Sequence, residues 1–372
     1  MDMKYELRAS IRKGLPVFMG KLKRGEPVTA AFLGGSITEG AGASDPDATS
    51  WRALTENYLK ERLGEERVTC INAGVGGTNS TFGAHRFQEH VLQKGTVDIV
   101  FVEFSVNDDL DRVESIRGME GIVRQCHRLS PHTELCFVYT AADKNLTDRL
   151  PFNIAVHEEV ASYYDIPSVN FAVEIYELIL AGRMQWEHLA PDHYHPHDEG
   201  HALYADYIRD FLQTLEFIQD EDARTPSSTL PPMESSNYEY AMMTGVREVT
   251  EYRGFQFAHL DDEPRMNWRF HTEHLLTYAA DASLTFKVHG QSAGICMLCG
   301  PDTGIFEYAI DEGPFQPMNL FDDWCKIAYR PVIAMFPIAK ERKNMTITVR
   351  NTSLKDNRST GTSLRIMKLF SN

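Results

Sequence analysis

Four short segments carry residues whose types and spacing can do chemistry: Gly34-Gly35-Ser36-Ile37-Thr38, Asn72-Ala73-Gly74-Val75-Gly76-Gly77-Thr78-Asn79, Glu103-Phe104-Ser105-Val106-Asn107-Asp108 and Asp192-His193-Tyr194-His195-Pro196. Ser36 follows an apolar run and two glycines, so its hydroxyl stands at a strand end with little bulk around it. A serine hydroxyl becomes a nucleophile only beside a base. His195 can supply that base, and Asp192, three residues earlier, can hold the imidazole through its other nitrogen. A developing oxyanion needs donors, and the backbone N–H of Ser36, the backbone N–H of Gly77 and the side-chain amide of Asn107 provide three. The plainer readings are that Ser36 and Asn107 cap helices and that Gly77 serves a turn with positive φ. The cluster His193, His195, His197 and His201 with Asp192, Asp198 and Glu199 has zinc-ligand residue types. It lacks a His-Glu-x-x-His helix, and Asp198-Glu199 read as the start of a helix, so no metal and no cofactor is expected.

These segments need a scaffold that brings distant loops together. Up to about residue 218, β-rich runs (Val28–Leu33, Val68–Asn72, Asp98–Phe104, Glu134–Tyr139, Ile166–Phe171) alternate with helical patterns, the signature of βαβ units and a parallel sheet covered on both faces. Trp51, Leu54, Tyr58, Leu59 and Leu63 mark one face of a helix, as do Leu203, Tyr207, Ile208, Phe211, Leu212 and Leu215. In an open parallel sheet the loops after the strand C-termini line one crevice, so the four segments can converge there. The stretch 219–237, rich in Pro, Ser and charge, reads as a linker between a domain at 1–218 and a second at 238–372. In the second, short β-branched or aromatic runs separated by Gly, Pro, Asp and Asn predict an antiparallel β-sandwich of the jelly-roll kind.

Composition narrows the function classes. The 372 residues carry 37 Lys and Arg against 53 Asp and Glu, a net charge of −16, which repels phosphate backbones and anionic headgroups. Neither nucleic acid nor a membrane is expected as partner. No run of about 18 apolar residues occurs, and the N-terminus lacks a secretory pattern. Six cysteines in so long a chain do not make a disulfide scaffold, so a reduced, cytoplasmic setting is expected. Cys296 and Cys299 lie three apart in a strand-like run, which turns their thiols to opposite faces and points to packing rather than redox chemistry.

The four segments, in this order, resemble the blocks of the SGNH, or GDSL-type, hydrolase superfamily of esterases. Ser36 matches the nucleophile, Gly77 the second block's glycine, Asn107 the third block's asparagine, and Asp192 and His195 the Asp-x-x-His-Pro of the fourth. The resemblance covers roughly residues 25–217. Two positions depart from it: Gly35 stands where aspartate is common, removing a carboxylate that helps order the site, and His197 where asparagine often follows. Gly76 is an alternative to Gly77 as donor. The resemblance implies a flavodoxin-like three-layer α/β/α domain with five parallel strands and a shallow site. The whole chain is similar to two-domain carbohydrate acetyl esterases. That likeness implies removal of small O-acyl groups, acetyl above all, from a sugar or oligosaccharide, with Trp51 and Trp186 as stacking faces. A lipase or acyl-thioesterase acting on longer chains is the same-class alternative, and an idle carbohydrate-binding protein the different-class one. Assembly into a homo-oligomer is left open.

Overall fold

Continuous burial explains the apolar runs of the first half: Ile99–Glu103 and Glu134–Tyr139 are buried at every position, as strands covered on both faces must be. The computed structural model describes residues 8–217, 230–261 and 263–372. It divides into two compact units, Met1–Glu239 and Tyr240–Asn372. The first unit holds β1 (Ala9–Ser10), β2 (Val28–Gly34), β3 (Val68–Gly74), β4 (Ile99–Glu103), β5 (Glu134–Tyr139) and β6 (Ser168–Asn170). They form one sheet in the order β1-β6-β5-β4-β2-β3. Strands β2 to β6 are parallel and follow the flavodoxin-like order expected from the sequence. Strand β1 was not expected. Its two residues pair antiparallel with Val169 and Ser168, too short a stretch to show any periodicity.

Helices fill the crossovers. Trp51–Leu63 packs with Asp198–Phe217, while Ser80–His90, Arg112–Leu129 and Phe152–Tyr163 pack in succession. Short polar side chains start several of them: Ser50 accepts from Ala53 N–H, Asn79 from Phe82 N–H, and Asp111 from Val113 and Glu114 N–H. No described helix is long and apolar enough to cross a membrane.

Part of the stretch read as linker, residues 219–229, lies outside the described residues. Its described end is bound to the first unit. Glu120, fully buried, accepts the backbone N–H groups of Met233 at 2.6 Å and Glu234 at 2.9 Å. Tyr238, which sequence texture groups with the sandwich aromatics, is core of the first unit instead: its ring meets His85 with centroids 4.9 Å apart, and its hydroxyl donates to Glu114 at 2.6 Å.

The second unit is two antiparallel sheets. One runs Arg330–Met335, Ala293–Cys299, Leu364–Ser371, His274–Thr277, Gln256–Ala258, with Met242–Gly245 also pairing with Leu364–Ser371. The other runs Gln316–Met318, Gly304–Ile310, Lys343–Lys355, Ser283–Gly290, Glu251–Arg253. Alternate residues of both enclose one apolar core, including Phe286, Ile295, Phe306, Ile347 and Ile366. Cys296 and Cys299 are free and fully buried in it or beside it.

Candidate active site

Strand β2 ends at Gly34 and the chain turns at once into a short helix, Ser36–Glu39, so Ser36 opens that helix at the sheet's C-terminal edge. Its Oγ lies 2.7 Å from His195 Nε2, and His195 Nδ1 lies 2.6 Å from Asp192 Oδ2. The other Asp192 oxygen accepts the backbone N–H groups of His195 at 2.8 Å and Tyr194 at 3.0 Å. Partial burial works to raise the Asp192 pKa, but these N–H groups and the imidazole outweigh it and hold the carboxyl below its ordinary value. An ionised carboxylate only accepts, so Nδ1 carries the ring proton and Nε2 is left as acceptor for the Ser36 hydroxyl.

The loop that carries Asp192 and His195 is fixed at both ends. His193 adopts φ +72° and its ring contacts Asp143 at 3.0 Å, while Trp186 Nε1–H donates to the same carboxylate at 2.8 Å. Asp198 accepts Ser44 N–H at 2.8 Å, Ser44 Oγ–H at 2.6 Å and Thr49 Oγ1–H at 2.7 Å, tying the following helix to the loop beyond Ser36. His201 is buried beneath. Its Nδ1 accepts Trp51 N–H at 3.2 Å and its Nε2–H donates to Ala41 O at 3.1 Å, the pattern of a neutral ring, and burial pushes its pKa down to about 4. Both His201 nitrogens are thus engaged by backbone groups. Among the described residues no three His, Cys, Asp or Glu side chains converge as a metal site.

The candidate oxyanion donors Gly77 and Asn107 follow strands β3 and β4. Gly77 is exposed and takes φ +69°, a left-handed conformation that favours glycine. The Gly76 N–H is already given to Glu39 Oε2 at 2.8 Å, which leaves Gly77 as the better-placed donor of the two. Asn107 lies against Gly35: a Cβ built on residue 35 would come 2.1 Å from Asn107 Oδ1. A side chain at position 35 would require the end of the Asn107 side chain to shift.

Two buried charged groups that sequence reasoning passed over tie these loops together. Arg86, fully buried, donates to Gly34 O at 2.7 Å, to Thr78 Oγ1 at 3.3 Å and to Ala73 O, thus joining the ends of β2 and β3. Asp108 accepts Ser80 N–H and Oγ–H, both at 2.8 Å, and Ser115 Oγ–H at 2.6 Å, and lies 2.9 Å from His157 Nε2. One carboxylate thus links the segment after Gly77 with the segment after Asn107. Burial alone would raise its pKa, but His157 and the hydroxyls bring it below the ordinary value.

The proposed stacking faces are corrected. Trp51 is fully buried, with Phe32, Phe101 and Phe171 at centroid distances of 5.2, 6.3 and 5.8 Å. Trp186 is 5% exposed. Neither can meet a ligand face. The exposed aromatic beside the site is Tyr194, 50% exposed with its ring centroid 6.5 Å from that of His195.

Residues 32–203 match the model of the GDSL-like lipase/acylhydrolase family. No curated protein sequence matches the chain. Among solved structures, a two-domain esterase (CEX) active on acetylated mannans, co-crystallized with mannopentaose, is 25% identical with a TM-score of 0.81, the match covering 98% of this chain and 95% of that one. A second structure, also titled as a two-domain esterase (CEX) active on acetylated mannans, is 24% identical with a TM-score of 0.83, covering 98% and 96%. The region that matches the GDSL-like lipase/acylhydrolase model spans all four motif segments, and the chain is a carboxylic ester hydrolase.

Proposed function

We propose that the protein removes acetyl groups from an acetylated oligosaccharide, with Ser36, His195 and Asp192 as a catalytic triad. The observation that carries this reading is the continuous hydrogen-bonded relay from Ser36 Oγ through both His195 nitrogens to Asp192. In it, Ser36 Oγ attacks the ester carbonyl carbon while its proton passes to His195 Nε2. The carbonyl oxygen takes the negative charge and is met by Ser36 N–H, Gly77 N–H and the Asn107 amide. Collapse of the tetrahedral intermediate breaks the bond to the sugar oxygen, which leaves with the proton from Nε2. Water, deprotonated by the same nitrogen, then attacks the acyl-enzyme, releases acetate and restores the Ser36 hydroxyl. Asp192 holds the ring in the tautomer that both half-reactions need.

Three observations support an acetylated carbohydrate. The esterase of like architecture along the whole chain is described as active on acetylated mannans. The triad is shallow, the His195 side chain being 30% and the Asp192 side chain 55% exposed, which suits an acyl group displayed on a polymer rather than a long chain needing an apolar tunnel. Tyr194 offers a sugar ring a face beside the base. The test is hydrolysis of p-nitrophenyl acetate and of acetylated mannan and xylan oligosaccharides by wild type, Ser36→Ala and His195→Ala. Both variants should fall about 10³-fold or more with circular dichroism unchanged. Wild-type rates in folded Ser36→Ala would remove the triad, and a rate maximum beyond butyrate across p-nitrophenyl esters would remove the deacetylase reading.

A further inference from the structure

Glu103 ends strand β4 at the sheet's C-terminal edge, is 1% exposed, and belongs to neither the triad nor the oxyanion donors. A carboxyl so placed is tolerated only where donors satisfy it. Thr140 Oγ1–H donates to Oε1 at 2.8 Å, Ser105 Oγ–H to the same oxygen at 3.4 Å, and Thr38 Oγ1–H to Oε2 at 3.4 Å. The nearby Gly35 N–H favours the charged form of this carboxyl. Gly35 immediately precedes Ser36, and Thr38 follows it on the same helical turn. The backbone of Glu103 pairs in register with Gly34, so strand β4 brings the carboxyl directly under the turn. A side chain on residue 35 would press first on Asn107 Oδ1.

We infer that Glu103 is a positioning residue for the nucleophile: by holding the Thr38 hydroxyl from a strand paired with Gly34, it fixes the turn that aims Ser36 Oγ at His195 and Ser36 N–H at the oxyanion. The inference rests on the reading of Ser36 as nucleophile. Burial raises the Glu103 pKa against the pull of Thr140, His157, Ser105 and Gly35. Glutamine has the same shape and keeps a carbonyl acceptor for the Thr38 hydroxyl. Leucine keeps the bulk and loses the grip.

The experiment compares kcat and KM for p-nitrophenyl acetate in wild type, Glu103→Leu, Glu103→Gln, Thr38→Val and Ser36→Ala, with folding followed by circular dichroism and thermal melts. Misplacing a reacting group by about 1 Å is enough for a loss of about 10²-fold, so Glu103→Leu should lose that much in kcat with KM within about twofold of wild type. Glu103→Gln should recover most of that loss. Thr38→Val, which removes only the link to the nucleophile's helix, should lose about 3- to 10-fold in kcat. A folded Glu103→Leu with kcat within about threefold of wild type overturns the inference, as does Glu103→Gln falling as far as Glu103→Leu. Should Glu103→Leu not fold, a wild-type kcat in Thr38→Val overturns it instead. Ser36→Ala separates the two levels. Activity in that variant removes the nucleophile reading itself, whereas an inactive Ser36→Ala beside wild-type rates in Glu103→Leu and Thr38→Val removes only the role of Glu103.

Discussion

The two units bury charge for different purposes. In the first, Asp98 and Glu134 sit at the N-terminal edge of the sheet, where Asp98 takes Thr29 N–H and the Lys21 ammonium and Glu134 takes Val17 and Phe18 N–H at a helix start. Arg86, Glu103 and Asp108 sit at the opposite edge and hold loops. In the second unit, Arg365 is the buried side chain of unit charge among the described residues. Asp302 clasps it through both oxygens, at 2.7 and 2.9 Å, and the Tyr329 ring covers it at 4.6 Å. One unit therefore holds a row of buried charges along the edge where its candidate catalytic residues meet, and the other a single clasp between strands. Burying charge is expensive. The difference shows where the first fold has spent stability on geometry.

The comparison can be broken most forcefully at the loops. Asp192→Asn should lower kcat on p-nitrophenyl acetate by about 10²- to 10⁴-fold, because the amide can hold the wrong imidazole tautomer, while thermal melts stay close to wild type. Asn107→Ala should lose about 10²- to 10³-fold in kcat with little change in KM. If either folded variant keeps its rate, the C-terminal edge is merely structural.

Asp302→Ala asks the reverse question of the second unit. It strands the Arg365 guanidinium and should lower stability to urea by about 3 kcal/mol while the esterase kcat stays within about twofold. An activity loss as large as that of Asn107→Ala would erase the distinction. Acid provides a gentler probe. Burial lowers the pKa of His85, His127 and His201 in the first unit to about 4, His127 also feeling Lys13 and Arg124. These rings are neutral when folded and take up a proton on unfolding below about 6.5, so their contribution is complete above that pH and is lost as the pH falls toward about 4. At pH 5 each should take away about 1–2 kcal/mol relative to pH 7, and hydrogen exchange should show the helix Asp198–Phe217 losing protection. Undiminished protection at pH 5 would mean that the rings are not held neutral.

The smallest effect sharpens the ligand side. Tyr194→Ala should lower kcat/KM on acetylated oligosaccharide by up to about tenfold, through KM, with Tyr194→Trp retaining it. Equal loss in both variants would argue against a stacking face.

Much of this was legible in the sequence for a physical reason. Parallel strands buried on both faces leave long apolar runs, and a glycine or serine after such a run is conspicuous. The five parallel strands and their order follow from that texture and from the resemblance it exposed. Proximity in sequence misled for Trp51 and Trp186: one starts a helix facing the core and the other turns its indole N–H onto Asp143. Arg86 reads as an ordinary polar residue of the helix Ser80–His90, since no local period reveals that its guanidinium reaches two strand ends. Glu103 is one residue beyond an all-apolar run, and only the register with Gly34 shows what lies above it. Tyr238 sits next to a change of texture, and its burial depends on Gly121, more than a hundred residues away, leaving space for it.

The contact between Gly35 and Asn107 also bears on how this turn could change over time. With Asn107 in place, any side chain at position 35 starts 2.1 Å from its oxygen, and with Gly35 in place, a smaller residue at 107 opens a gap beside Ser36. Each residue thus makes the other's replacement harder, so the effects of paired substitutions at these two sites should be strongly non-additive. A lineage starting from this chain would reach a side chain at position 35 most readily by first yielding at 107, through an intermediate without the Asn107 amide.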